Sequence, residues 1–255
     1  MPASYAHYRF GKLLLPELPA DVRQCIQRFR RMYDTGLQGP DLFFYHNIFA
    51  KTAVGDLGKA FHKQSGSEFF HRVCPLADTE PAQAYLYGLL AHYCLDSQCH
   101  PFINKMESIG EVRHVALESE FDRVLMAQDG IQSPHTHDRS RYIQLTRGEC
   151  MTAATFFPPA TGKDINRCIR NLGMSLRFLG RANRANTEKL VRRFSPGHLE
   201  QLIPLEEVED YAFAIGELQE CFQQALSRYP LLLTQLLACR VKGTPLGKAF
   251  DPNFG

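Results

Sequence analysis

The sequence contains no tryptophan, no CxxC pair and no apolar run near the ~20 residues that a membrane span needs. Each absence removes a class of protein. The longest apolar stretch, Ala84 to Leu95, is already broken by His92, so no spanning helix is expected. The eight cysteines, at 25, 74, 94, 99, 150, 168, 221 and 239, form no tight framework. That argues for reduced thiols in a core rather than disulfides or a zinc ribbon. A protein that tracks single-stranded nucleic acid needs aromatic platforms for its bases, and here the largest of them is missing. There is no P-loop, dinucleotide glycine motif or nucleophile elbow. Met1 to Lys12 is followed only by Leu13, Leu14 and Leu15 before Pro16, short of a signal-peptide core. A cytoplasmic location is therefore expected.

What is present is an ordinary globular composition, 44% hydrophobic and 22% charged over 255 residues. A chain of that length buries roughly three quarters of its unfolded surface. Helical periodicity runs from end to end, and no segment joins β-branched enrichment to period-two alternation. The pattern predicts an all-α fold, a multi-helix bundle forming one domain over 1–255, since neither an internal repeat nor a Gly/Pro/Ser linker divides it. Helices are expected over 20–34, 53–74, 80–100, 109–128, 140–156, 163–194 and 205–239, with ends uncertain by roughly two to four residues. Thr79, before Glu80 and Pro81, reads as a helix start whose hydroxyl caps free amides. Beyond Gly243 an irregular strap is expected. The net charge is +2, yet residues 162–194 hold nine Lys/Arg against two acids. This stretch is either a solvated helix face or a contact for an anionic partner.

The chemistry concentrates in Ala82 to His100, which is apolar nearly all round until His92 and Asp96. Such a helix belongs in the interior, and a buried aspartate must be bonded, paired, neutralised or bound to metal. At 100° per residue, side chains four apart are offset by only about 40°. His92, Asp96 and His100 therefore form one stripe. The next helix offers His114 and Glu118 at the same spacing, followed by Asp122. Imidazole and carboxylate are good zinc ligands, and i, i+4 spacing lets two reach one ion. A single such pair is ordinarily a surface ion pair; two on successive helices are harder to explain that way. His7, Asp41 in Gly39-Pro40-Asp41, and His62 add three upstream candidates.

This ordered set, with His92-Tyr93-Cys94-Leu95-Asp96 and His114-Val115-Ala116-Leu117-Glu118 at its centre, resembles the zinc-dependent phospholipase C family, whose fold is shared with single-strand-specific zinc nucleases. The resemblance covers about residues 5–122. It implies a trinuclear zinc site. His62, His92, Asp41 and Asp96 would serve one ion and His100, His114 and Glu118 a second, with Asp96 bridging to a third held by His7. Secreted members hold that third ion with an N-terminal tryptophan, which this chain lacks.

The implied activity is hydrolysis of phosphate esters by a metal-activated water at a di- or trinuclear zinc site, with Asp41 orienting or deprotonating the water and Asp96 bridging. A phospholipid or small phosphodiester is the expected substrate, with no stable nucleic-acid complex. Alternatives are a single-strand nuclease and a non-catalytic helical metal-binding or scaffold protein. The doublet His137-Asp138 also suggests an HD-type phosphohydrolase, but it lies in a Pro-bounded polar stretch that reads as a surface loop.

Overall fold

The structure is a computed structural model that describes residues 4–47, 50–132, 137–181 and 211–255. Among these residues it is all-α, with no strand. The first helix, α1 (Ser4–Leu14), was not expected from the pattern; it buries His7, Phe10, Gly11 and Leu14 at helical spacing. The stretch 20–34 is two helices rather than one, α2 (Ala20–Arg28) and α3 (Arg30–Gly36), because the backbone of Phe29 leaves the helical region at φ −118°, ψ 45°.

A 3-10 helix over Gly39–Tyr45 carries Asp41. The stretch 53–74 also divides, into α4 (Ala53–His62) and α5 (Gly66–Val73), each opened by its own hydroxyl cap: Thr52 accepts from the Gly55 amide and Ser65 from the Glu68 amide. Helix α6 (Glu80–Ser108) begins where predicted, although the Thr79 side chain makes no capping bond. It does not stop at His100. Pro101 lies inside it, because buried Ile103 and Met106 continue the core-facing stripe and that packing outweighs the lost hydrogen bond.

The following helix, α7 (His114–Gln128), starts later than expected, which places His114 in its first turn. Helix α8 (Arg147–Ala154) is shorter than the 140–156 expectation because a capping box of Thr146 and Glu149 fixes its start. Of 163–194, α9 covers Gly162–Arg181, and 182–194 lie outside the described residues. Helix α10 (Ala212–Lys242) runs past the expected end at 239 to a left-handed Gly243, and 205–210 lie outside the described residues. The strap that follows contains one 3-10 turn, Lys248–Phe250.

Helix α6 is the axis of the fold, packed chiefly against α3 and α10 and also touching α1, α2, α7 and α8. Its residues from Ala84 to Ser97 are buried without a break, as expected of a helix enclosed on all sides. Burying each of its large apolar side chains contributes roughly 1.5–3 kcal/mol. The α3–α6 crossing is a backbone contact: a Cβ at Gly36 would lie 2.4 Å from the Tyr85 carbonyl oxygen, and one at Gly88 2.3 Å from that of Tyr33. This approach presses the 3-10 turn bearing Asp41 onto the middle of α6.

Gly88→Ala should therefore force the two helices apart and cost about 1–3 kcal/mol. Urea denaturation checks this, and an unchanged midpoint would show that the crossing is not set by backbone contact.

Candidate metal centre

The fold brings eight donors into three groups, the first two sharing His92: His7, Asp41 and His92; His62, His92 and Asp96; and His100, His114 and Glu118. Asp96 is at the middle. Its Oδ2 lies 2.9 Å from His92 Nε2 and 3.8 Å from His62 Nε2, while its Oδ1 lies 3.1 Å from His7 Nε2 and 3.8 Å from His100 Nε2. Asp41 Oδ1 is 3.1 Å from His62 Nε2. On the far side, Glu118 Oε1 is 3.3 Å from His100 Nε2 and 3.4 Å from His114 Nε2.

Two tests ask whether these residues fit zinc. A tetrahedral ion with ligand bonds of about 2.0 Å spaces its donor atoms by about 3.3 Å, and the Glu118 distances fall there. The second test is satisfaction. His92 Nε2 and Asp96 Oδ2 face each other yet form no hydrogen bond, and both are buried. Buried polar atoms without partners cost about 1–3 kcal/mol each, so atoms aimed at a common point are suited to an ion. The donor set fits zinc on both counts.

The ring orientations point the same way. His62 Nδ1 donates to the Gly58 carbonyl at 2.6 Å, His92 Nδ1 to Leu37 at 3.2 Å and His100 Nδ1 to Phe254 at 3.0 Å. A carbonyl can only accept, so each Nδ1 carries a hydrogen, and in the neutral ring Nε2 is the nitrogen whose lone pair is free for an ion. Gly39 contributes by its absence of a side chain: with φ at 49°, it lies under the His92 ring, where a Cβ would come within 2.3 Å of Cδ2. The glycine of Gly39-Pro40-Asp41 is thus a space for an imidazole.

Asp122 is wholly buried but takes no place among the donors. It accepts from the Tyr5 and Ala6 amides at 3.0 and 2.8 Å and from Arg139 Nη1 at 3.0 Å. It thereby fastens the first turn of α1, the helix that delivers His7, to α7. Burial pushes its carboxyl up to about 6, against the pull of Arg139 and the two amides.

The electrostatics favour ionised acids. Burial works against charge on Asp96, but His92, His100 and His7 outweigh it and hold the carboxyl well below its usual range. Asp41 and Glu118 are likewise held low despite burial, with hydrogen bonds from His62 to the one and from His100 and His114 to the other. Burial also opposes protonation of His62 and His114, yet the facing carboxylates prevail and raise both; His92, with burial dominant, is lowered.

Some functional neighbours had no signal in the sequence. Glu107 places Oε2 3.5 Å from His114 Nδ1, and the carbonyls of Leu37, Gly58 and Phe254 act through the main chain. The HD doublet is used locally instead. His137 bonds the Tyr142 hydroxyl at 2.6 Å, and Asp138 caps a 3-10 turn.

Comparison with known proteins bears on this geometry. Residues 6–156 match the family described as zinc dependent phospholipase C. The chain belongs to the zinc-dependent phospholipase C family. The matched span contains all eight candidate donors and ends before α9, α10 and the strap. No curated protein and no solved structure matches the chain.

A metal held by these residues would have to displace protons, because neutral imidazole is the form that ligates. With His62 and His114 raised, that competition begins above the usual imidazole range, while the depressed carboxylates and His92 add little to it. Zinc affinity should therefore fall as pH drops from about 8 to 5, with proton release on binding. Chelator competition across that range checks it. Affinity independent of pH would contradict the imidazole assignment.

Proposed function

We propose that the chain is a hydrolase of phosphate esters, a phospholipase C-like phosphodiesterase working on a lipid or other small phosphodiester. The observation that carries this reading is the bridging position of Asp96, with one oxygen toward His62 and His92 and the other toward His7 and His100. Phosphodiester hydrolysis is suited to ions set side by side, which can hold the attacking and the leaving oxygen at once.

In this reading His62, His92, Asp41 and Asp96 hold one zinc, His100, His114 and Glu118 a second, and His7 with Asp96 a third. Zinc in such a site supplies Lewis-acid polarisation of phosphoryl oxygens and hydroxide at neutral pH. The protein's own groups do the rest. Asp41, ionised and held by a 3-10 turn at the side of the cluster, orients the attacking water or takes its proton. Asp96 and Glu118 stay charged through the cycle, and divalent ions set against three carboxylates leave the site net positive, which favours a phosphate. Phe121, Leu95, Ile103 and Leu218 line one side of a cavity of about 20 Å³ beside His7, Asp96, His100 and Glu118. That volume accommodates one water. Ester approach is assigned to the His114 side, where the imidazole is 22% exposed.

The near-complete burial of most of the donors favours a second reading, a closed structural metal site in a binding or scaffold protein, because structural sites leave no position open. A single-strand nuclease is the other alternative. It would draw on the exposed face of α9, which carries Lys163, Arg167, Arg170 and Arg177. The reading takes that face as a contact for an anionic surface, and the chain as cytoplasmic on the strength of eight free thiols.

Elemental analysis of protein purified without chelator should find at least about two zinc ions per chain. Phosphatidylcholine, an aryl phosphodiester and single-stranded DNA, assayed together at low salt, then separate the readings. Cleavage of DNA alone supports the nuclease, and no cleavage by zinc-loaded protein supports the structural site.

Asp96→Asn should remove turnover by about 10²-fold or more. Asp122→Asn, which loosens only the seat of α1, should cost about 10–100-fold in metal affinity or activity. Equal, parental turnover and metal content in both folded variants would refute the assignment.

A further inference from the structure

We infer that the strap following α10 is a working part of the metal centre, with Phe254 as a positioning residue for His100 and His62, so that seating of the strap and binding of zinc are one coupled event. The inference rests on reading the eight donors as a zinc site, and it concerns residues that lie beyond the span matched to the family.

After Gly243 the strap returns across α4, α5 and α6, pinned along its length. The Leu246 amide donates to His71 Nε2 at 3.2 Å and the Gly247 amide to Gln235 Oε1 at 2.9 Å. Arg228 donates to the Ala249 carbonyl, and the Tyr93 hydroxyl and the Gly66 amide donate to the Pro252 carbonyl at 3.1 and 2.8 Å. Two phenylalanines anchor it, both fully buried. Phe250 stacks on Tyr93 with ring centroids 5.7 Å apart and meets Phe70 at 5.4 Å. Phe254 packs on Tyr93 and Phe69 at 5.0 and 5.1 Å and reaches His62 at 6.2 Å and His92 at 6.1 Å.

The backbone of Phe254 is where the strap meets the chemistry. Its amide donates to the His62 carbonyl at 3.2 Å, and its carbonyl accepts from His100 Nδ1 at 3.0 Å. His62 and His92 draw their other Nδ1 partners from α4 itself and from Leu37, but the hydrogen bond that fixes His100 comes from the strap. Without it the imidazole regains a broad torsion and either tautomer. The ion at His100, His114 and Glu118 should feel this most. By linkage, zinc that holds His100 in place must in turn hold the strap.

The test uses the unaltered chain with Phe254→Ala, Phe254→Leu and Phe250→Ala, reading zinc affinity by chelator competition and the visible spectrum of the cobalt-substituted protein. Hydrogen exchange over residues 246–255, with and without zinc, is read on the unaltered chain. Phe254→Ala should weaken binding about 10–100-fold and change the cobalt spectrum, with recovery in Phe254→Leu. Phe250→Ala removes the other anchor, a ring that stacks on Tyr93 and Phe70 and not on a histidine, and should weaken zinc less than Phe254→Ala and leave the cobalt spectrum nearer parental. Zinc should slow exchange at the strap. Parental affinity and spectrum in Phe254→Ala, or exchange that ignores zinc, would overturn the coupling; a loss in Phe250→Ala as large as that in Phe254→Ala would overturn the assignment of Phe254 as the positioning residue. Should a variant fail to fold, the exchange measurement decides alone. An unaltered chain that takes up no zinc removes the metal reading and this inference with it, an outcome distinct from zinc binding that disregards the strap.

Discussion

Asp96 sits on the most enclosed helix among the described residues, where an ionised carboxylate without partners costs several kcal/mol. The surroundings are arranged to meet that cost from four directions. His92 and His100 approach from its own helix, one turn before and one turn after; His7 comes from α1 and His62 from α4. Three of those buried rings pass the demand outward, His92 to Leu37, His62 to Gly58 and Asp41, and His100 to Phe254. The polar centre is therefore a network in which removing one partner leaves another exposed to the low dielectric.

The scaffold answers with close backbone packing. The Gly36–Gly88 contact brings α3 against α6 with no side chain between them, which lets Leu37 and Gly39 touch His92 directly. Asp122 performs the corresponding task for α1, holding two amides of its first turn and the guanidinium of Arg139. Two buried carboxylates four residues apart on α7, Glu118 and Asp122, thus do different work. One faces imidazoles and joins the candidate metal centre. The other faces main-chain amides and supports a neighbouring helix.

Side-chain chemistry on α6 was the most legible part of the sequence, because an aspartate and two histidines at four-residue spacing in an apolar helix leave few explanations. The helical class was equally plain from periodicity. Boundaries failed where local chemistry interrupted a continuing pattern: at Phe29, at the Ser65 cap, and at Pro101, which tertiary packing overrode. The wider shell was hidden for a different reason. Carbonyl groups of Leu37, Gly58 and Phe254 carry no residue signature, and the strap that supplies the last of them lies more than 150 positions from its histidine. Gly39 stood beside Asp41 in the motif, but nothing in the sequence showed that its task is to make room for a ring.

The spread of the centre along the chain has a consequence for the order of folding. Its contacts join residue 7 to residue 96 and residue 100 to residue 254, separations whose loop-closure cost must be met before any gain from the contact. Local helices such as α6 can form early, carrying three of the donors, yet an ion meeting that helix alone finds a ladder of ligands and no cage. The complete site exists only after both ends of the described chain have docked. A metal ion seated there would report that folding has reached its final stage, and it would slow the first step of unfolding, the release of either end.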